Sequence, residues 1–249
     1  MGPADVETLE RATLQAVAPQ AVETWPGWLL PMDAGTVGRA HSAVPLSHAV
    51  PAAEAASAIV ARYEARGFAP VFRLPDLAAF EGMQRELQGK GFQRHQPTLT
   101  QTTQVERLLA VPTAGPPGEL ATRPDAAWMA MFLGEGLDPV DGASRSRALG
   151  RASGTLFASL REDGQTLACG AASFGHGWLG VHGMRTAAAQ RGRGLAGRLL
   201  HTMALEARRR GIDRVFLQVD ASNQPALALY RRLGFATAWP YAYWRRGDA

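Results

Sequence analysis

The residues best suited to holding a ligand are Arg191-Gly192-Arg193-Gly194-Leu195-Ala196-Gly197, a glycine-rich turn carrying two arginines. Upstream, Trp178-Leu-Gly-Val-His-Gly-Met-Arg-Thr186 reads as a strand. Downstream, Leu195, Leu199, Leu200, Met203 and Leu205 recur at three- and four-residue spacing, as one face of a helix does. The glycines therefore stand where a strand hands over to a helix N-terminus. The first turn of a helix has N–H groups without intrahelical partners and carries the positive end of the helix dipole. Glycine lets a phosphate approach that end with no Cβ in the way, and Arg191 and Arg193 add charge-assisted donors for phosphate oxygens. The arrangement predicts a pyrophosphate as its ligand.

The same loop has a second spelling. Gly192-x-Gly194-x-x-Gly197 matches the dinucleotide fingerprint, and Asp220 ends the next strand as a ribose-binding acid would. Against this, the glycines begin several residues after the strand instead of at its tip. Asp220 also lies further along than the usual distance of about 20 residues, and the chain beyond it is short for the rest of a doubly wound sheet.

The elements that must position the loop follow from periodicity and punctuation. Residues 5–24 predict an amphipathic helix on Val6, Leu9, Leu14 and Val17, ended by Pro19 or Pro26, and two short strands are expected around a turn within 25–39. A helix over 52–66, with Ile59, Val60 and Tyr63 inward, is stopped by Gly67. Strand 71–74, helix 77–87 and the threonine-rich extended stretch 92–105 follow. Val111-Pro-Thr-Ala-Gly-Pro-Pro-Gly118 breaks all regularity and reads as a linker, which divides the chain into 1–115 and 116–249. Beyond it come helices over 124–137 and 143–150, then apolar strands 154–161 and 165–174 joined through Asp163-Gly164, a hairpin signal. Gly175-His176-Gly177 turns the chain into strand 178–186. Helix 193–210, strand 214–219, a turn at 220–223, a helix from Pro225 to Gly234 and an aromatic strand 239–244 complete it.

Of 249 residues, 46% are hydrophobic, enough for a substantial core. The net charge of +4 comes almost entirely from arginine, Lys90 being the only lysine, and the arginines are dispersed, so nucleic acid is not the expected partner. Cys169 is the only cysteine and cannot form an internal disulfide; no metal site is expected. No apolar run reaches membrane-spanning length and no basic, then hydrophobic, leader opens the chain, so the expectation is a cytoplasmic protein. There is also an internal echo. Gly67, Val71, Phe72 and Asp76 match Gly211, Val215, Phe216 and Asp220 at a constant offset, and Gly91-Phe92 matches Gly234-Phe235 at one residue less. His48 and Val50 stand in the first half where Gly192 and Gly194 stand in the second, so only the second half has the glycine cradle.

The segments Met184-Arg-Thr-Ala-Ala-Ala-Gln-Arg-Gly-Arg-Gly-Leu-Ala196 and Asn223-Gln-Pro-Ala-Leu-Ala-Leu-Tyr-Arg-Arg-Leu-Gly-Phe235 resemble motifs A and B of the GCN5-related N-acetyltransferases. The Arg/Gln-x-x-Gly-x-Gly/Ala signature falls on Arg191, Gly194 and Ala196. The resemblance implies a mixed-sheet α/β fold in two related halves, residues 1–115 a degenerate copy and 116–249 the catalytic domain. It further implies acetyl-CoA as co-substrate, its pyrophosphate on residues 191–197, its pantetheine arm along Met184, Arg185 and Thr186 with Asn223 beside it, and Tyr230 facing the sulfur. One departure is Ala188, where the family often has proline.

Acetyl transfer to an amine needs a base for the nucleophile, a donor for the developing oxyanion and an acid for the leaving thiolate. Tyr230 is the expected acid, and His182, on the strand face of Met184, the candidate base. Glu135 and Asp138 are weaker candidates, read first as solvated charges or caps. His176 is expected to be exposed and Cys169 to fill a strand. Trp25, Trp28, Arg39, His41 and His95 are the first half's candidates for shaping an acceptor pocket, and a small-molecule amine is the expected partner, with a homodimer left open. The rival readings are a non-catalytic acyl-CoA sensor or scaffold and a dinucleotide-binding oxidoreductase.

Overall fold

The computed structural model describes residues 2–133 and 138–247. Helix α1 (Pro3–Val17) buries Val6, Leu9, Leu14 and Val17 and ends at Ala18, which turns left-handed at φ 42°. The helix expected over 5–24 therefore ends early, and the following residues form strand β1 (Ala21–Trp25), which turns through Pro26-Gly27 into β2 (Trp28–Met32). Pro19 has no N–H to continue the helix, and β2, buried along its whole length, needs a hydrogen-bonding neighbour. A 3-10 helix, Gly38–Ala40, and the short β3 (Val44–Pro45) take the place of the second strand expected by residue 39.

Next come α2 (Ala55–Glu64), β4 (Val71–Pro75), α3 (Glu81–Gly89), β5 (Phe92–Gln104) and α4 (Val105–Leu109). The proline- and glycine-rich stretch is a loop leading to β6 (Glu119–Ala121). The helix expected over 124–137 is only α5 (Ala126–Ala130), capped by Asp125 accepting from the Trp128 N–H; Glu135 lies outside the described residues. Helix α6 (Pro139–Arg151) starts earlier than residue 143, because Asp138 accepts from the Val140 and Asp141 N–H groups and Pro139 suits the first turn. Asp138 is thus a cap.

Strands β7 (Thr155–Glu162) and β8 (Gln165–Gly175) are joined by Asp163 and Gly164 at φ 48° and 77°, the two positive values that a tight primed turn demands. Then come β9 (Trp178–Thr186), α7 (Leu195–Arg209), β10 (Arg214–Asp220), α8 (Gln224–Arg232) and β11 (Ala236–Arg246).

Eight strands form one sheet in the order β4-β11-β5-β10-β9-β8-β7-β6, and only β9 and β10 run parallel. This excludes the parallel, doubly wound sheet of the dinucleotide reading. Both α2-β4-α3-β5 and α7-β10-α8-β11 have the order helix, strand, helix, strand. The last strand of each run lies beside a strand of the other, β5 between β11 and β10, β11 between β4 and β5. Thr98 pairs with Tyr241, and their separation equals that of Gly91 from Gly234. Residues 1–115 and 116–249 therefore share one sheet, although the linker between them falls in a loop.

One apolar cluster packs α7 and α8 on β7 to β10, and another packs α2 and α3 on β4. Between them Arg73 of β4, 1% exposed, donates twice to Glu10 of α1, at 3.1 and 2.5 Å. No helix among the described residues is long and apolar enough to cross a membrane.

Candidate active site

The site begins where β9 and β10 part. Their pairing runs from Trp178↔Arg214 to Val181↔Leu217 and stops there. On the other edge of β9, Ala171 faces His182 while Cys169 faces Arg185, so β9 carries one extra residue, and Gly183 within it has φ 58°. A bulge of this kind bends its strand. Beyond Val181 the backbone of β9 has no strand to pair with on the β10 side, and a cavity of about 330 Å³ fills the opening. His182, Met184 and Arg185 line it from β9, Gln218 and Asp220 from β10, and Asn223 and Tyr230 from the next turn and helix.

The glycine loop follows β9 after a 3-10 helix, Ala188–Gln190. Gly192 and Gly194 sit at φ 79° and 74°, a region open to glycine at no steric cost. A Cβ at 192, 194 or 197 would meet nothing within 4 Å, so the loop faces open space. Gly194 caps α7, whose first turn has no acidic residue and no side-chain cap; Arg198 is the first N–H to bond back, to Gly194, which leaves those of Leu195, Ala196 and Gly197 for a ligand. Arg191 is exposed and has no ion pair among the described residues, whereas Arg193 reaches Gln190 and Glu162. The Leu195 side chain is buried in the core, so only its backbone is available. These donors fit a pyrophosphate, and the open edge of β9 fits an amide-bearing arm. Thr186 and residues 191–197 lie outside the lining of the 330 Å³ cavity.

Tyr230 is buried, its ring 5.5 Å from that of Phe235. Burial pushes its hydroxyl up to about 12, although Arg185 pulls the other way, so the phenol keeps its proton at neutral pH. His182 is buried with Nε2 3.0 Å from Ser173 Oγ. Burial, and secondarily the charge on Arg39, press its pKa down to about 3. His182 is thus a neutral hydrogen-bonding group that sheds any proton it receives. An unfolded chain protonates this histidine below about 6.5 and the folded one does not, so His182 should make the unfolding free energy rise with pH from about 3 to 6.5, by up to about 1.4 kcal/mol per unit. Urea melts at several pH values should show that slope, and His182→Leu should flatten it; equal slopes would mean that His182 titrates normally.

Other candidates have structural work. Cys169 is fully buried and its thiol is pushed up to about 12 by burial, which makes it unreactive strand filling. His176 is exposed in its turn. Asp220 Oδ1 accepts from the Ser222 backbone N–H and hydroxyl at 2.8 and 2.6 Å, holding its own turn. Asn223 lines the cavity and caps α8, accepting from the Ala226 N–H.

Arg39, Asp141, Arg145 and Phe132 also line the cavity. The sequence places Arg39 only on the acceptor side, and nothing local in it marks the other three. A second cavity of about 780 Å³ adjoins the first, with Arg39, Gln96, Arg145 and Tyr243 lining both. Of the acceptor-pocket candidates, Arg39, His41 and His95 line it, whereas Trp28 is buried in the core and Trp25 packs against that cluster.

Comparison with known proteins gives this geometry a family. Residues 3–244 match the family described as "Probable histone acetyltransferase Rv0428c C-terminal". A GCN5-related N-acetyltransferase from Kribbella flavida has the same fold, with 18% identity and a TM-score of 0.68 over 98% of this chain and 96% of that one. A tandem GNAT protein from the clavulanic acid biosynthesis pathway superposes with 16% identity and a TM-score of 0.60, again over 98% and 96%. A segment of 58 residues is 43% identical to a mycothiol acetyltransferase of Corynebacterium aurimucosum, covering 23% of this chain and 19% of that protein. The chain belongs to the Rv0428c C-terminal family of acetyltransferases and has the fold of the GCN5-related N-acetyltransferases.

Proposed function

We propose that the protein transfers an acetyl group from acetyl-CoA to the primary amine of a small molecule, by direct attack with both substrates bound. The observation that carries this is the parting of β9 from β10 at Val181 and Leu217, beside a glycine-capped helix with three free N–H groups. Met184, Arg185 and Thr186 offer strand-edge hydrogen bonds to the pantetheine arm, with Asn223 alongside, and residues 191–197 cradle the pyrophosphate. Acetyl-CoA supplies the activated acyl carbon when bound. Tyr230, protonated at any physiological pH, donates to the sulfur as it leaves. His182, on the wall of the same cavity, is the group assigned to the amine; with its pKa near 3 it accepts a hydrogen bond from the neutral amine without taking its proton, and the proton the nitrogen sheds after attack passes through water to the Tyr230 oxygen, restoring the phenol. The strand exchange and the repeated order of elements support reading residues 1–115 as a degenerate copy of the catalytic half.

The description of the family favours a second acceptor, a histone lysine, while the partial relative is a mycothiol acetyltransferase. Two adjoining cavities favour a small molecule, since ligand pockets commonly span about 300–1,000 Å³. The testing experiment is a thermal-shift titration with acetyl-CoA beside NADH. Acetyl-CoA at a hundredfold excess over its Kd should add about 2.7 kcal/mol of apparent stability and NADH none. A response to NADH alone, or to neither, would remove the proposal.

A further inference from the structure

Arg39, on the 3-10 helix Gly38–Ala40, stands where the two cavities meet. Its Nε is buried without a hydrogen-bond partner, and no carboxylate among the described residues lies within 4.0 Å of its guanidinium. The groups that act on it are the hydroxyls of Tyr241 and Tyr243, the guanidinium of Arg73 and, beyond 4.0 Å, the carboxylate of Glu10, which Arg73 grips with two hydrogen bonds.

The acids around the larger cavity are also taken. Asp33 accepts from Arg151 and from the Gly35 and Gln20 N–H groups, at 2.8, 2.7 and 3.2 Å. Glu64 holds Arg246 at 2.8 Å, and Asp141, in the smaller cavity, holds Arg145 and the Thr36 hydroxyl at 2.6 and 2.7 Å. Around the larger cavity what remains without an ion pair is positive; in the smaller one Asp220 is bonded only within its own turn, to Ser222, and Arg185, on the same wall, has no ion pair among the described residues. Arg39 is joined by Arg245 on the rim, which has no ion pair among the described residues, while His41 and His95 each bring a buried ring nitrogen lacking a partner, His41 being held neutral by burial.

A simple ammonium would be repelled from such a cleft. A molecule with an oxyanion as well as an amine would be drawn in. We propose that the acceptor is an amine that also carries a carboxylate or phosphate group, and that Arg39 is its anchor, turning the amine toward the parted strands. The inference rests on the acetyl-transfer reading. The planar fork of arginine suits either oxyanion, which it can grip with two hydrogen bonds. The same positive charge favours the neutral form of the amine, the form that attacks.

The test uses two pairs of acceptors, β-alanine with its carboxamide and phosphoethanolamine with ethanolamine, followed by thiol release with acetyl-CoA. The anionic member of at least one pair should show a kcat/KM about 10- to 100-fold above its neutral counterpart; the pair that does so tells carboxylate from phosphate. Arg39→Met should bring that ratio close to one, and Arg39→Lys should keep part of it. Acetyl-CoA affinity, measured separately, reports on folding and on the parent reading. Equal rates within both pairs for the wild type, or no response to any of the four while acetyl-CoA binds, would overturn the proposal without a variant being needed. If acetyl-CoA does not bind, the parent reading fails alone. Calorimetry with the same pairs then decides the anchor: selective binding of an anionic member, lost in Arg39→Met, supports it, and indifference removes it.

Discussion

Gly194→Trp should leave a folded protein that no longer binds acetyl-CoA. Gly194 caps α7 at φ 74°, and a side chain there would project into space free of protein atoms within 4 Å. The fold therefore bears only the backbone strain of a non-glycine residue at positive φ, about 1–2 kcal/mol. The indole, however, would occupy the approach to the N–H groups of residues 195–197, to which the proposal assigns the pyrophosphate. Calorimetric titration should detect no saturable heat at a hundredfold above the wild-type Kd, while the thermal midpoint drops by only a few degrees. Gly194→Ala bears the same strain with little bulk and should keep most of the affinity. A tryptophan variant with wild-type Kd would show that the pyrophosphate binds elsewhere.

Tyr230→Phe should lower kcat by about 10²- to 10⁴-fold, the usual contribution of a positioned acid, with little change in KM for acetyl-CoA. Phenylalanine keeps the packing on Phe235 and loses only the proton donor. The hydroxyl of the wild type, pushed up to about 12, stays protonated across any practical assay range. Its loss should therefore lower the pH–rate profile without changing its shape below about pH 10. Full activity in the variant would remove Tyr230 as the acid.

The parts of the site that were legible in the sequence are contiguous in the chain. The strand 178–186, the glycines at 192 and 194, and Tyr230 in a helix started by Pro225 each carry a local signal: apolar continuity, positive φ, or helical spacing. Asp163-Gly164 marked its hairpin for the same reason, since both residues need positive φ. Arg39, Asp141, Arg145 and Phe132 reach the cavity through tertiary packing, with Thr36 of one segment bonded to Asp141 and Ser144 of the other. No local pattern encodes such a meeting. The first helix is a different case: of the two stops open to it, Pro19 and Pro26, the structure uses the first, because Pro19 cannot continue the helix and β2 takes residues 21–25 as its hydrogen-bonding partner. The bulge at Gly183, which opens the site, left only a glycine in a strand as its trace.

The exchange of β5 and β11 has a consequence for how the protein is made. Ribosomal synthesis delivers β4 and β5 early, yet each needs β11, which arrives only when Arg246 has emerged. Until then one edge of each strand is open, the condition in which chains associate with one another. Contacts such as Thr98 with Tyr241 span more than half the sequence, and pairings so distant close slowly. Completion of the first half thus waits on the last strand: the cluster of α2, α3 and β4 can gather early, but β4 and β5 reach their native pairing only once β11 has been made.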